Sequence, residues 1–371
     1  MESVLLSMRQ KQRALYGLIV RSEFLVALVI SLAVIIVGVG LGRENNKVVP
    51  VNTVASSHYN LEPNNRLSFM SNWDGPIYLG IAKNGYTNKA EANFFPLYPI
   101  VTRLVHSVIP SMLDSALCVS WLSLVGAVYF FIRILKHLFR IKDNIEAARG
   151  TLLFVLFPTA VFLLATYTES LFAFLALGCI YFSLHKKYIP AAIFAAFLTA
   201  THLTGLFVVG LMGLLLLDKK FGLVKTILTM IVGSSGLAMY MIYQDVHFHN
   251  AFAFVSAQKA HSWVNVGPSH LLSEFATLNA IFIILVLCAA LYWWKRRRSF
   301  SIYSLLFLSI LFVGGKGFSG FGRYTLMAFP IEFMIYDYCR NKKLAYSLAL
   351  IFTAILWMFF TLRYAGGYTG G

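Results

Sequence analysis

Apolar residues run along this chain in long blocks, and the polar stretches between them are short and mostly basic. Such blocks are read by their length and by the charges that flank them. The first, Phe24 to Leu41, follows Arg9, Lys11, Arg13 and Arg21, which places the N-terminus in the cytoplasm. No small-residue cleavage site follows it, so it reads as a retained signal-anchor. A polar stretch from Gly42 to about Glu91 is then external. Phe94 to Val108 is apolar but broken by Pro96 and Pro99, and reads as an interfacial segment. Leu113 to Leu135, Thr151 to Ala165 and Leu171 to Leu184 read as crossings. Ile189 to Leu217 is basic at both ends, long for one helix and short for two. It reads as a hairpin of two short helices turning near Thr201 to Gly205. Leu223 to Tyr243 leads out to a second external segment. Leu271 to Trp294, Ile302 to Val313, Tyr324 to Tyr338 and Leu344 to Leu362 bring the total to about eleven spans. The pattern predicts an all-α polytopic membrane protein with a single domain over 1–371, a first external loop at 42–110 and a second at 244–270.

Composition agrees. Of 371 residues 58% are hydrophobic and 12% charged, and the mean hydropathy is +0.72. No soluble domain covers that much apolar surface with so few charges. The net charge of +16 raises nucleic acid as a partner, but the basic residues sit in clusters between apolar blocks, as membrane orientation requires. Nucleic acid is therefore not expected. The four cysteines fall in or at the ends of apolar blocks, which argues against a disulfide framework or a thiolate metal site.

Carboxylates are scarce, so each one near the membrane is a candidate for function. Asp74, Glu169 and Asp245 stand in aromatic settings. Asp74 lies between Trp73 and the Gly75-Pro76 turn, with Tyr78 one turn on. A base that takes a proton from a sugar hydroxyl needs aiming and shielding of this kind, with Trp73 and Tyr78 as stacking faces. Asp74 with Pro76 behind it also fits a helix N-cap, and the two readings are compatible. Glu169, in Tyr167-Thr168-Glu169-Ser170, suits a sugar hydroxyl or a basic phosphate holder, or equally a capping box. Gln258, Lys259 and Trp263 recur at helical spacing, with Gln258 and Trp263 suited to sugar and Lys259 to phosphate; the alternative is a helix lying on the membrane. Arg323 and Tyr324 follow a glycine-rich turn, where an arginine fork can grip phosphate. That turn lacks the Gly-Lys-Ser/Thr ending of a nucleotide loop. His202, at the hairpin turn, is a weaker candidate. His247, His249, His261 and His270 lack the carboxylate–histidine spacing of a zinc site. No cofactor is expected; a divalent metal is possible but not indicated.

Three boxes fix a resemblance. Trp73-Asp74-Gly75 with Tyr78, Ile81, Ala82, Gly85 and Tyr86 is the first, and Phe94-Phe95-Pro96-Leu97-Tyr98-Pro99 follows it. The third is Pro158 to Phe162 with Tyr167 to Phe172. Together with Ala257, Gln258 and Trp263, and with Arg323-Tyr324 before Phe329-Pro330, they resemble the PIG-V-like mannosyltransferase family over about Ser71 to Pro330. That family adds the second mannose of the GPI anchor in eukaryotes and has prokaryotic members. The resemblance implies a GT-C fold, a polyprenyl-phosphate sugar donor, typically the mannose, and Asp74 as catalytic base. One departure is Thr201 to Gly205, where the family often carries an Arg-Ser-x-Gly-like box. The chain is shorter than eukaryotic relatives, which points to a prokaryotic member, and the acceptor need not be the GPI precursor.

The chemistry that follows is inverting transfer of a hexose to a hydroxyl of a lipid or glycan acceptor on the external or luminal face. That face is the plasma membrane exterior in a prokaryote and the ER lumen in a eukaryote. A lipid phosphate is a good leaving group, so one base suffices, whereas glycoside hydrolases need two carboxyls. Trp73, Tyr78, Tyr167, Glu169, His202, Gln258, Lys259, Trp263, Arg323 and Tyr324 are the expected substrate-binding set, with Lys259, Arg323 and His202 meeting phosphate. The rival reading is a lipid or lipid-linked sugar transporter. An enzyme should gather Asp74, Glu169 and Arg323 into one pocket, whereas a transporter should show a polar path through the midplane.

Overall fold

A computed structural model describes residues 22–43, 47, 60, 65–260, 279–309 and 321–367. The described residues are helical throughout, and several of the helices are apolar on every side, so the chain is an all-α polytopic membrane protein. The helices are α1 (Glu23–Arg43), α2 (Gly75–Asn84), α3 (Leu97–His106), α4 (Met112–Phe139) and α5 (Asn144–Val155). They continue with α6 (Glu169–Leu184), α7 (Tyr188–Thr199), α8 (Gly205–Asp218), α9 (Leu223–Gly233), α10 (Ser235–Phe248) and α11 (Ala253–Ala260). The last are α12 (Asn279–Trp294), α13 (Arg298–Leu308), α14 (Phe321–Thr325), α15 (Pro330–Cys339) and α16 (Lys343–Ala365).

The helices differ in length. Among the described residues three helices, α1, α4 and α16, are long and apolar enough to cross a membrane, and the pair α9–α10, bent by 41°, makes a fourth if taken as one span. The other apolar helices run 10–17 residues, or at most about 25 Å, short of the roughly 30 Å hydrocarbon core. Each break has a local cause. The expected crossing from Thr151 to Ala165 stops at Val155, because Pro158 cannot continue the ladder; a 3-10 turn, Ala160–Leu163, follows it. The expected crossing from Tyr324 to Tyr338 is split by Pro330 at the start of α15. The expected hairpin in 189–217 is present as α7 and α8. Helix α10 continues past Gln244 to Phe248 and ends at a left-handed His249.

Breaking a helix frees backbone groups that lipid cannot satisfy. At the α9–α10 bend Thr199 of α7 fills the gap. Its hydroxyl donates to the Gly233 carbonyl at 3.0 Å and accepts from Leu237 N at 3.3 Å. Gly236 makes this approach possible, because a Cβ there would overlap the Ala196 carbonyl oxygen of α7.

The segment expected as the first external loop carries Asp74. It is built from a 3-10 turn (Ser68–Ser71), α2, a second 3-10 turn (Lys89–Asn93) and α3. Asn72 anchors it to the end of α16, donating to the Tyr364 carbonyl at 3.1 Å, while Tyr364 OH accepts from Asn72 N at 3.2 Å. Thr166 joins from the other side, donating to Met70 O and to Ser71 Oγ. Gly75 leaves just enough room between them: a Cβ would sit 2.6 Å from both the Ser71 and Thr166 hydroxyls. At the far end Tyr240 and Gln244 of α10 both donate to the Ala92 carbonyl.

Gly236→Ala is expected to cost about 1–3 kcal/mol, because overpacking here meets backbone rather than a movable side chain. Gly210, with nothing within 4 Å of its would-be Cβ, should accept alanine without loss. Thermal unfolding of the two variants in detergent checks the contrast.

Candidate active site

Three distant stretches meet at Arg323. Its Nη1 donates to Asp74 Oδ2 at 2.8 Å, and its Nε lies 2.9 Å from Glu169 Oε1. The second contact is an ion pair whose angle falls short of a hydrogen bond. The guanidinium carbon lies 5.6 Å from the ring centre of Phe162, 5.3 Å from Tyr167 and 5.2 Å from Tyr324, so one cation sits among three aromatic rings. Asp74 begins α2 yet makes no side-chain cap, and its carboxylate turns to Arg323 instead. Glu169 opens α6, and Thr168 before it makes no side-chain cap either.

The two carboxylates differ in reach. The Asp74 side chain keeps 22% of its surface, that of Glu169 only 2%. Asp74 Oδ1 has no hydrogen-bond partner among the described residues. Asp74 can therefore meet a ligand, while Glu169 balances the buried guanidinium from below.

The loop backbone aims Asp74. Tyr167 OH donates to Asn72 O at 2.8 Å and accepts from Asp74 N at 3.1 Å. Between them Trp73 is held at φ 60°, left-handed and costly for a residue with a Cβ. That turn lays the Trp73 ring against a small cluster of Val161, Phe162, Ala165, Tyr167 and Tyr364. Its indole N–H is buried with no partner.

Tyr324 links Arg323 to His202. Its hydroxyl lies 3.5 Å from Arg323 Nη2, and the His202 ring is centred 5.4 Å from its own. Phe95 and Phe172 flank the same imidazole. His202 Nδ1 lies 2.8 Å from Thr204 Oγ1 and accepts from Thr204 N at 3.2 Å. Burial first, and then the charge of Arg323, lower its pKa from 6.5 to about 3. A lowered pKa favours the uncharged imidazole over the cation that phosphate binding would use.

Tyr78 is also placed differently from a stacking platform. It is buried, packed edge-on against Phe94, Tyr98 and Tyr167. Gln258 is half-buried on α11, with no hydrogen bond to the Arg323 cluster among the described residues. Asp245 is exposed on α10 and takes no part. The Lys259 side chain and Trp263, like the glycine-rich turn before Phe321, lie outside the described residues. Among the described residues no group of three His, Cys, Asp or Glu is placed to hold a metal. Phe162 enters the sequence reading only as the end of the Pro158 to Phe162 box, and Asn72 only as the neighbour that precedes the first box. Tyr364, at the end of an apolar run, carries no mark that separates it from an interfacial tyrosine.

Apolar helices gathered around one charged, aromatic-lined cluster, with the more exposed of its two carboxylates on Asp74, define a polytopic membrane protein with its ionised groups drawn together. By comparison with known proteins the chain belongs to the family Mannosyltransferase (PIG-V), which matches residues 28–231, more than half of its length. It is similar to GPI mannosyltransferase 2 of Drosophila pseudoobscura pseudoobscura, 30% identical over 161 residues, covering 41% of this chain and 34% of that protein. It is also similar to GPI mannosyltransferase 2 of Drosophila melanogaster, 29% identical over 119 residues, covering 30% of this chain and 26% of that one. The matched stretches thus span about a third of the length of these relatives or less.

Removing Arg323 strands a buried carboxylate. Arg323→Gln is expected to cost about 3–5 kcal/mol, and adding Glu169→Gln should recover a large part of it. Chemical unfolding of the single and double variants measures this. His202 gives a pH signature. Its folded pKa lies below its unfolded value, so its contribution is present above pH 6.5 and is lost as pH falls toward 3. The slope is at most about 1.4 kcal/mol per pH unit, less as far as solvent reaches the ring. His202→Gln should flatten the acid limb of a melting-temperature profile between pH 7.5 and 5.

Proposed function

We propose that this chain is an inverting mannosyltransferase of GT-C type, taking mannose from a polyprenyl-phosphate donor to a hydroxyl of a lipid or glycan acceptor on the external or luminal side. The observation that carries this reading is the meeting of Asp74, Arg323 and Glu169, with Asp74 the open carboxylate and Glu169 the buried one. The family supplies the reaction class, and the apolar bundle suits a donor whose tail is a membrane lipid.

In the proposed step the acceptor oxygen attacks C1 of the mannose from the face opposite the phosphate. Its proton passes to Asp74 Oδ1. The C1–O bond to phosphate breaks, and the lipid phosphate leaves with the electron pair, so the anomeric centre inverts and no general acid is required. Arg323 orients the carboxylate through Oδ2. Its Nη2 side, facing Tyr324, is the direction from which a leaving phosphate would meet positive charge. Neutral His202 serves as a hydrogen-bonding wall rather than a counter-charge. Trp73, half-buried against the Tyr167 and Tyr364 cluster, offers the open part of its ring to the sugar. Transport is the weaker reading. Among the described residues the buried charged side chains are Glu91, Glu169 and Glu332, and Glu332 on α15 stands apart with neither oxygen partnered. One isolated carboxyl is not a relay across a membrane.

The test is transfer of labelled mannose from polyprenyl-phosphate-mannose by the purified full chain to extracted membrane lipids. Asp74→Asn is expected to lower the rate by about 10²–10⁴-fold with its melting temperature held, the range for a lost general base. An undiminished rate would remove Asp74 from the chemistry.

A further inference from the structure

The opposite end of the bundle carries an arrangement that sugar transfer does not use. Helix α16 ends at Tyr364 beside the Asp74 loop and begins just after Arg340. Its 23 residues set the two ends roughly 35 Å apart. At the Arg340 end lies a cavity of about 320 Å³, bounded by the last residues of α4 and α15 and by the turn between α12 and α13. That volume falls in the range of small-ligand sites, roughly 300–1,000 Å³. Arg140, Arg296, Arg297 and Arg340 line it, with Asp337 as the lone carboxylate of the lining.

Basic residues at one end of a membrane protein are ordinary, and most sit on solvated turns. These four share a cavity, and two are held in place by rings. The Arg296 guanidinium lies 4.0 Å from the centre of Tyr292, and that of Arg340 lies 5.0 Å from Phe139. Tyr292 OH donates to Asp337 at 2.7 Å, and Asp337 meets Arg340 Nε at 3.2 Å, so one chain of contacts fixes the Arg340 fork. Asp218, outside the lining, also attracts Arg297. Two carboxylates do not balance four guanidiniums at close range. A multivalent oxyanion does, and planar forks match phosphate oxygens in pairs. The neighbours in sequence of lining residues, Trp294 and Tyr338, are 51% and 60% exposed. Exposed aromatics of this kind mark the level of lipid headgroups, which favours a lipid as the source.

We propose that this arginine-lined cavity binds the phosphate of an anionic phospholipid headgroup on the membrane face opposite Asp74, with Asp337 as a positioning residue for Arg340. The chemistry recognised is a phosphate oxyanion, and inorganic phosphate is the soluble alternative source.

The experiment places the full chain in phosphatidylcholine nanodiscs and titrates fluorescent phosphatidic acid, then inorganic phosphate as competitor. Saturable binding of phosphatidic acid is expected, weakened roughly tenfold or more in Arg297→Gln/Arg340→Gln. The charge-matched control Lys295→Gln/Arg298→Gln, at the same end but outside the lining, should bind within about twofold of wild type. Arg297→Lys, which keeps charge and loses the fork, should fall between them and guards against a double variant that fails to fold. Competition by inorganic phosphate would assign the site to phosphate in general, and no competition would assign it to the headgroup; both support a built site. Binding that is absent, non-saturable, or equally weakened in the control pair would overturn it.

Discussion

A guanidinium enclosed by aromatic rings and shared between two carboxylates is the constraint on which this structure turns. Glu169 is almost wholly buried at the start of an apolar helix, a place where an unbalanced carboxylate is very costly. Arg323 balances it, and in doing so brings the stretch before α15 against the first external loop. Asp74 completes the set from that loop. The ion pairs therefore act on topology as well as on chemistry: they join segments about 250 and 150 residues apart in the chain, where loop closure alone would favour neither. The strained Trp73 and the close approach at Gly75 are accommodated because Asn72, Tyr167 and Tyr364 over-determine the path of the backbone.

The membrane sets the second constraint. Short apolar helices do not shield their own ends from lipid, so the bundle closes those ends with partners from neighbouring helices. Thr199 does this at the α9–α10 bend, and Ser120 and Trp121 of α4 do it by donating to Ala165 O and Leu164 O below the Arg323 cluster. Irregular backbone from Pro158 to Thr168 is tolerated because protein surrounds it. That irregular stretch is what carries Tyr167 and Glu169 to Asp74. The features that shorten helices and the features that build the pocket are the same residues.

Much of this was legible in the chain itself. Ionisable residues stand out against apolar surroundings, and so Asp74, Glu169 and Arg323 could be singled out before any geometry was known. The hairpin at 201–205 was readable from its basic flanks. Other aspects were not. Helices that are apolar on all sides have no stripe to mark where they end, so the lengths of the individual helices, three or four long ones among many short ones in the described residues, were not readable. The choice between capping and chemistry for Asp74 needed side-chain directions. Burial of Tyr78 and the neutrality of His202 depend on neighbours from Phe94 to Tyr324, none of them close in sequence to both. Tyr364 owes its role entirely to packing.

The central claim is that Asp74 and Arg323 form one working unit. Its most direct test is a double-mutant cycle on the rate of mannose transfer, with Asp74→Asn, Arg323→Gln and the two combined, each scored only where the purified protein melts cooperatively. If the unit is real, the double variant loses less than the product of the two single losses, because the part of Arg323 that acts through the Asp74 carboxylate is already gone. Fully multiplicative losses would contradict the account and leave the two residues with separate tasks.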